Sequence, residues 1–270
     1  MQSYDIYFNP ANFLRKIFYN LPFFCIFADM LTKSRAIVLH SLKFGDNQMI
    51  VDLFTEKMGR LSFICRIPSS SKAKIKKQFF QPLSILDIEF DYRAQQNLQR
   101  FKDVRIAIPF LGIPFDPFKL SLSLFIAEFL LYSTRNEQNN PSLFLFILNS
   151  ILWLDETKET FSNFHLIFMA HLSKFLGFYP NLEDYQKGYV FDLREGQFVP
   201  YVPLHVDYLN TEDSKMLMLL MRMSYETMCL CKMSRIERNK CAEAILFFYR
   251  LHVPSFPELK SFSVLKELFV

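Results

Sequence analysis

The hydrophobic period of the chain changes once, near residue 110, and this change limits the folds that it can adopt. Between residues 34 and 109 apolar side chains recur at every second position, most cleanly in 84–92, where Leu86, Ile88 and Phe90 alternate with acidic residues. A period of two places one set of side chains in a core and the other in solvent, as in a β-strand. Runs of this kind are present at 35–42, 49–55, 58–67, 84–92 and 100–108.

These five short runs, separated by turns and one longer loop, predict a small closed barrel of the OB type. An SH3-like barrel would give much the same pattern, so that alternative stays open. In the run 58–67 the odd-numbered residues from Leu61 onward are expected on the core face. The even-numbered residues, which include Arg60 and Arg66, are expected on the opposite face.

Three prolines between residues 108 and 118 mark the end of this region, because proline removes a backbone donor and restricts the residue before it. Beyond them the apolar residues follow a helical period. A capping-box pattern, in which Ser234 is followed by Glu237, predicts the start of the last long helix. Helices are predicted over 118–135, 141–154, 161–177, 213–231 and 235–252.

The sequence therefore predicts an α+β protein, with a five-stranded OB-type β-barrel at 30–109 and an all-helical domain at 110–270. Within the second domain, 178–210 is rich in turn residues and is expected to form an irregular excursion or a small hairpin. Residues 1–29 contain an apolar run that is too short for a membrane helix, which needs about 20 residues, and they lack a signal-peptide cleavage pattern. We interpret them as an N-terminal extension outside the core fold, produced by a mis-assigned start codon before Met30.

The chain offers little for catalysis or metal binding. Its five cysteines are an odd, scattered set without a disulfide framework, which favours a reducing, cytoplasmic location. Cys229, Cys231 and Cys241 lack the paired spacing of a structural zinc site. A phosphate-binding glycine loop and a nucleophile-elbow motif are both absent from the sequence, which has only 6 glycines. We therefore expect no enzymatic activity, no cofactor and no metal.

Positive charge is concentrated in the predicted barrel. Residues 33–105 hold 14 Lys and Arg against 7 Asp and Glu, a net of +7, whereas the whole chain carries +4. Such a basic domain predicts a polyanionic partner. The segment 69–77, SSSKAKIKK, has four lysines and no acidic residue, and loops of OB barrels commonly contact nucleic-acid strands. The predicted DNA-binding residues are Lys72, Lys74, Lys76, Lys77, Arg66, Arg60, Arg35 and Lys43.

The alternative explanation for these residues is an ordinary solvated turn and an exposed strand edge. Further basic residues of the barrel would widen the surface, but the sequence alone does not orient them: Lys33, Arg100, Lys102 and Arg105. A second basic cluster precedes the apolar stripe of the last long helix. It is interpreted either as a solvated helix face or as a dock for an acidic, apolar peptide, and it comprises Lys232, Arg235, Arg238 and Lys240.

The segment 45–66, GDNQMIVDLFTEKMGRLSFICR, resembles the strand–turn–strand signature of the RecO family, the bacterial recombination mediators. The matching positions are Gly45-Asp46, the Leu-Phe-Thr at 53–55, Gly59 and Arg66. The basic loop and the strand at 81–90 continue the match. Further segments, 175–185 and 252–269, resemble the central excursion of the family and the C-terminal tail of its Bacteroidetes-type members. The resemblance spans 30–270.

This resemblance implies an OB domain followed by a helical domain, in a protein that binds single- and double-stranded DNA and anneals complementary strands. It implies a role in the RecF pathway, in which the protein works with RecR and helps to load RecA. It also implies that the helical domain docks the acidic C-terminal tail of single-strand binding protein. The expected location is cytoplasmic and nucleoid-associated, without membrane contact.

The chain departs from many relatives in one respect, because they carry a four-cysteine zinc site in the excursion, where this sequence has no cysteine. Aromatic residues are expected to hold the excursion instead: Tyr185, Tyr189, Phe191, Phe198 and Tyr201. Two other functions stay open at this point. The barrel could bind a protein partner in an adaptor, which salt-insensitive or absent DNA binding would indicate, or it could bind RNA, which a preference for 2′-hydroxyl groups would reveal.

Overall fold

The computed structural model describes residues 30–67 and 75–268. The proposed extension at 1–29 and two of the predicted DNA-binding lysines, Lys72 and Lys74, lie outside the described residues. Over the described part of the chain, no helix combines the length and the apolar character needed to cross a membrane.

The first region is a sheet of six strands with the order β5-β3-β2-β1-β4-β6. The pairs β1–β2, β2–β3 and β4–β6 are antiparallel, and β3–β5 is parallel. The strands are β1 (Met30–Phe44), β2 (Gln48–Thr55), β3 (Gly59–Arg66), β4 (Ile85–Tyr92), β5 (Leu98–Gln99) and β6 (Phe101–Ile108).

The predicted five-stranded closed barrel is therefore wrong in strand number and in closure. The run predicted at 100–108 is preceded by a separate two-residue strand, β5, which pairs with β3 at one edge of the sheet, while β6 pairs with β4 at the other. The side chain of Gln99 bonds the backbone N–H and carbonyl of Arg93 at 3.0 and 2.9 Å and fixes this short strand. A strand of two residues has no period from which a sequence could predict it.

The inner face of this sheet encloses a small core that follows the predicted alternation. Leu86, Ile88 and Phe90 of β4 are buried, as is Phe63 of β3. The ring of Phe63 stacks on Phe101 with centroids 4.4 Å apart, and it meets Phe90 edge-on at 5.0 Å. Aromatic pairs at these separations contribute to stability beyond their buried area.

The second region is built from six α-helices around a larger core. Side chains from the outer face of the sheet, including Ile37, Phe54 and Ile85, belong to this second core and join the two regions. The helices are α1 (Pro117–Ser133), α2 (Pro141–Glu156), α3 (Phe164–Leu176), α4 (Thr211–Arg222), α5 (Arg235–His252) and α6 (Lys260–Leu265).

Helix boundaries follow local capping chemistry. Ser234 and Glu237 form the predicted capping box, which confirms the start of α5. The helix predicted at 213–231 is wrong at its C-terminal end, because α4 stops at Arg222. The chain turns there, and the backbone N–H of Ser224 donates to the hydroxyl of Thr227 at 2.9 Å.

The excursion is not irregular throughout, and the second region is not all helical. It contains a small antiparallel sheet of β7 (Val190–Asp192), β8 (Gln197–Val199) and β9 (Tyr208–Leu209), in the order β8-β7-β9. Phe198 contacts Tyr185 and Phe191 with centroid distances of 5.1 and 4.9 Å, so these aromatic residues do hold the excursion. Tyr201 is 64% exposed and does not.

The segment that joins the two regions is fixed by one carboxylate. Asp155 of α2 accepts hydrogen bonds from the backbone N–H groups of Leu111, Gly112 and Ile113 at 2.7 to 2.8 Å. Lys119 donates to the carbonyls of Asp155 and Thr157. These bonds satisfy backbone groups of a segment that the prolines keep out of regular structure.

Candidate nucleic-acid interface

The strands β1 to β3 have two ends with different surroundings. At the docked end, which comprises the β2–β3 turn with Gly59 and Arg60, the sheet contacts the helical region. The Nη1–H of Arg60 donates to the carbonyl of Leu131 at 2.7 Å, and its backbone N–H donates to the carbonyl of Glu137 at 3.3 Å. A Cβ at Gly59 would lie inside van der Waals contact of the carbonyl oxygens of Glu137 and Gln138.

At the open end lie the β1–β2 turn, from Phe44 to Gln48, and Arg66 at the end of β3. The register places Gln48 opposite both Phe44 and Arg66. The backbone N–H of Ile67 donates to the carbonyl of Asn47 at 2.8 Å, which ties the start of the basic loop to the turn. The predicted contact loop therefore leaves the sheet at its open end.

The outer face of β1–β3 can be followed in rows from the docked end to the open end. Phe54 is buried against the helical region, and the next row, His40, Asp52 and Ser62, is polar. Asp52 accepts a hydrogen bond from the Ser62 hydroxyl and lies 3.6 Å from the Nδ1 of His40. The two rows beyond it are Leu42 with Ile50 and Ile64, and then Phe44 with Gln48 and Arg66.

Four of the predicted DNA-binding residues are exposed cations around the open end and its loop. Lys43 precedes Phe44, Arg66 ends β3, and Lys76 and Lys77 lie where the loop returns to the sheet. Buried Phe80 anchors that return in the sheet core. Among the described residues, none of these four cations forms an ion pair.

The side of the sheet formed by β4 and β6 also carries basic residues, but ion pairs with carboxylates neutralise three of them in the structure. Outward-facing carboxylates of β4 pair with cations of β1 and β6. The nitrogen–oxygen distances are 2.6 Å for Lys33–Glu89, 2.7 Å for Lys102–Asp91 and 3.4 Å for Arg105–Asp87. The net charge of +7 is therefore not spread evenly over the surface of this region. Within its described part, more of the cations without an ion pair lie at the open end than elsewhere.

Two predicted DNA-binding residues lie away from the open end. Arg60 is at the docked end, where burial lowers the pKa of its guanidinium and Asp52 lies 3.8 Å from it. Arg35 lies beside Glu56, near the β2–β3 turn. Arg35 and Lys43 lie eight steps apart along β1, or about 26 Å at ~3.3 Å per residue. The structure therefore does not bring these two arginines together with the rest.

The second basic cluster is mostly engaged in intramolecular contacts. Arg238 is 7% exposed, and its Nε and Nη2 donate to the Asn163 side chain and the Met233 carbonyl, each at 3.0 Å. Lys240 lies 2.7 Å from Asp213, and Arg235 forms an exposed pair with Glu267 at 3.4 Å. Lys232 is exposed.

Two neighbouring cavities open beside this cluster at the start of α5. They have volumes of about 490 and 630 Å³ and share Ser162, Met233, Ser234 and Arg238. One also contains Cys229, Cys231 and Lys232, and the other contains Phe118, Arg235 and Leu268. The walls therefore combine apolar side chains with cations.

Two of the cysteines, Cys65 and Cys241, have the character of packed thiols, whereas Cys229 is exposed. Burial raises the pKa of Cys65 to about 11 and that of Cys241 to about 12, which disfavours the thiolate that binds metals and attacks electrophiles. Over 30–67 and 75–268, no three His, Cys, Asp or Glu side chains are grouped so as to hold a metal ion.

Sequence reasoning missed the exposed apolar residues at the open end, Leu42 and Phe44, which are 53% and 51% exposed. The available signal was the aromatic residue immediately before the Gly45-Asp46 turn, where an exposed position is expected.

Comparison with protein families gives two matches that together cover most of the chain. Residues 30–110 match the model "Recombination protein O N terminal", and residues 114–261 match "Recombination protein O C terminal". The chain is 49% identical over 240 residues to "DNA repair protein RecO" of Phocaeicola vulgatus. It is 48% identical over 241 residues to the protein of the same name from Bacteroides fragilis, and 36% identical over 242 residues to that of Flavobacterium johnsoniae. Each match covers 89% of this chain and 100% of the relative.

Proposed function

The chain belongs to the RecO family of non-enzymatic DNA repair proteins, and we propose that it is a recombination mediator that binds single- and double-stranded DNA at the open end of its sheet. The observation that carries this proposal is the distribution of free charge. Lys43, Arg66, Lys76 and Lys77 are exposed there without ion pairs among the described residues, whereas Lys33, Lys102 and Arg105 on the β4–β6 side pair with carboxylates of β4.

Free cations bind the DNA backbone by releasing condensed counterions. The logarithm of affinity then falls with the logarithm of salt concentration, with a slope of about −0.7 per contact for a single strand and about −0.9 for a duplex. Such contacts do not read the sequence of bases. The proposed surface, extended by Lys72 and Lys74 of the loop, therefore suits a protein that acts on any damaged or recombining DNA.

The same chemistry supports annealing. Cations at one surface reduce the repulsion between two phosphate backbones, so that complementary strands can approach each other. We further propose RecR as a working partner, the loading of RecA as the outcome, and a location beside chromosomal DNA in the cytoplasm; membership of the RecO family supports these proposals.

The cavities at the start of α5 are the proposed dock for the acidic C-terminal tail of single-strand binding protein. Phe118, Met233 and Leu268 offer apolar contacts, and Lys232 and Arg235 offer positive charge. The exposed Arg235–Glu267 pair is a weak one that an acidic peptide can replace. Arg238 and Lys240 are engaged within the protein and are given a structural role instead.

Two variants with the same change in net charge test the DNA surface. One replaces Lys43, Lys76 and Lys77 with Ala at the open end, and the other replaces Lys33, Lys102 and Arg105 with Ala on the neutralised side. We expect the first variant to reduce the magnitude of the salt slope for single-stranded DNA by about 2, because each of the three lost contacts contributes ~0.7 to the slope. The matched control should leave the slope within error of wild type, as measured by fluorescence anisotropy with labelled oligonucleotides.

Equal slopes for both variants would place DNA binding elsewhere and contradict the open end as the interface. Absence of salt-dependent DNA binding by the wild-type chain would contradict the function itself and would favour a protein-binding adaptor. Tighter binding of an RNA strand than of the matching DNA strand would favour an RNA-binding role.

The tail dock has its own test. A peptide with acidic residues and an apolar C-terminal residue should bind the wild-type chain and should bind the Lys232→Ala, Arg235→Ala double variant at least ~5-fold more weakly, about 1 kcal/mol. The matched control is Lys187→Ala, Lys215→Ala, which removes two exposed cations at a distance in sequence from the cavities. If the peptide binds both double variants with the same affinity as wild type, these cavities are not the dock.

A further inference from the structure

The outer face of β1–β3 at the open end carries a contiguous apolar surface that charge alone does not explain. Leu42 pairs with Ile50, and Ile50 pairs with Ile64, so the three side chains form one row across three strands. Phe44 stands on the same face two residues beyond Leu42, and both are about half exposed. Single exposed apolar residues are normal on a protein surface, but a contiguous patch marks a binding site.

Free cations border this surface. Arg66 stands in the row of Phe44, two strands away, which corresponds to about 10 Å at ~4.8 Å between neighbouring strands. Lys43 is the chain neighbour of Phe44, and the basic loop starts next to Arg66. Of the carboxylates nearby, Asp46 lies in the exposed turn, and Asp52 is engaged with Ser62 and lies near His40 and Arg60.

A half-exposed aromatic ring beside free cations is complementary to an unstacked base whose phosphates need neutralising. Resting on the DNA-binding function proposed above, we propose that Phe44 is the base-stacking residue of the open end and gives it a preference for single-stranded over double-stranded DNA. The apolar row of Leu42, Ile50 and Ile64 continues the platform beneath a neighbouring base. Stacking on an aromatic ring accepts any base, because every base has a π-face.

The preference for single strands follows from what a duplex hides. In a double helix each base is stacked between its neighbours, so its face reaches Phe44 only after unstacking, which costs a few kcal/mol. The phosphates of a duplex are still available to the lysines. The two components of the surface therefore act differently: the cations bind both forms of DNA, and Phe44 acts on the single strand alone.

The experiment uses the full chain as wild type, Phe44→Ala, Phe44→Trp and the matched control Phe115→Ala, whose ring is 80% exposed but lies outside the sheet. Affinity for an oligothymidylate and for a duplex is measured by anisotropy across a range of salt. Phe44→Ala should weaken single-strand binding by about 5- to 100-fold, since stacking is worth a factor of this size per base. In Phe44→Ala the affinity for the duplex and the salt slope should stay unchanged. Phe44→Trp should keep the single-strand affinity, because tryptophan also offers a ring for stacking. Phe115→Ala should bind as wild type.

A strand containing 2-aminopurine gives a direct readout, because the emission of this base changes when the base leaves the stack of its neighbours. Wild type and Phe44→Trp should change the emission on binding, and Phe44→Ala at saturation should not. The stacking role would be overturned if Phe44→Ala kept its single-strand affinity, or if it lost affinity equally for single strand and duplex. In either case, salt-dependent DNA binding by wild type would still support the proposed function. No salt-dependent binding by wild type would overturn both.

Discussion

The two ends of the β1–β3 sheet contain the same kinds of residue in opposite roles. Each end has a phenylalanine on the outer face, a turn glycine with a positive φ, and an arginine of β3. At the docked end these are Phe54, Gly59 and Arg60, and all three contact or approach the helical region. Their counterparts at the open end are Phe44, Gly45 and Arg66, which are exposed.

The difference shows that residue type and strand position do not determine whether a side chain stabilises the fold or is available to a ligand. What decides is which end of the sheet the helical region covers. Matched substitutions at the two ends can test this, because each pair holds the chemical change constant and alters only the surroundings.

The phenylalanine pair should give the largest difference. Phe54 is fully buried and stacks on Phe144 of α2 with centroids 6.3 Å apart. Phe54→Ala should lower the free energy of unfolding by about 4 kcal/mol, because it removes a buried ring and leaves a cavity. Phe44→Ala should lower it by less than about 1 kcal/mol. Chemical denaturation measures both, and equal losses would contradict the distinction between the ends.

The glycine pair separates backbone strain from close packing. Gly45 and Gly59 have almost equal φ values, +66° and +67°, but a Cβ at Gly45 would meet no atom within 4 Å. Gly45→Ala should cost about 1 kcal/mol for the left-handed backbone. Gly59→Ala should cost about 3 kcal/mol, because its Cβ would also push against the carbonyls of Glu137 and Gln138. The check is thermal unfolding. An equal loss of stability for both variants would show that the loop at 134–140 can move away from Gly59 without an energetic penalty, and it would contradict the close packing at the docked end.

The two arginines should differ in what they contribute: Arg60 to the stability of the fold, and Arg66 to DNA binding. Arg60→Ala removes the charged hydrogen bond to the Leu131 carbonyl and should cost about 2 kcal/mol of stability. Arg66→Ala should change stability by less than about 0.5 kcal/mol and should weaken DNA binding by a few-fold with one contact fewer in the salt slope. A variant of Arg60 that keeps its stability but loses DNA affinity would reverse this assignment.

A smaller, pH-dependent effect should come from the helical region. Burial, with a further contribution from the positive charge of Arg238, lowers the pKa of His165 to about 3. In the unfolded chain the imidazole titrates near its ordinary value, about 6.5, so protons favour unfolding. The stability contributed by neutral His165 is present above about pH 6.5 and is lost towards pH 3, at about 1.4 kcal/mol per pH unit.

The check is the free energy of unfolding of wild type and His165→Gln at pH 7 and pH 5.5. Glutamine does not titrate, so the variant should show the shallower dependence on pH. If both proteins lose stability in parallel, His165 is protonated in the folded state, and the buried position assigned to it is wrong.

Much of the local structure could be predicted because it depends on neighbours in sequence. The alternation in 84–92 identified the buried side of β4, and Ser234 with Glu237 identified the start of α5. Capping and strand alternation act over a few residues, so a single sequence contains them. The small hairpin that was one alternative for the excursion is present as β7 and β8, but the strands β5 and β9 were missed, because strands of two residues are defined by distant partners.

The candidate site was predicted in part, for the same reason. The order of residues alone predicts that the first region is basic, that its lysine-rich loop follows Arg66, and that its strands alternate between two faces. Which of the cations are free depends on the folded arrangement: carboxylates of β4 neutralise Lys33, Lys102 and Arg105, and the helical region engages Arg60. Charge and period are properties of short segments, whereas ion pairing and burial depend on residues that folding brings together from distant parts of the chain.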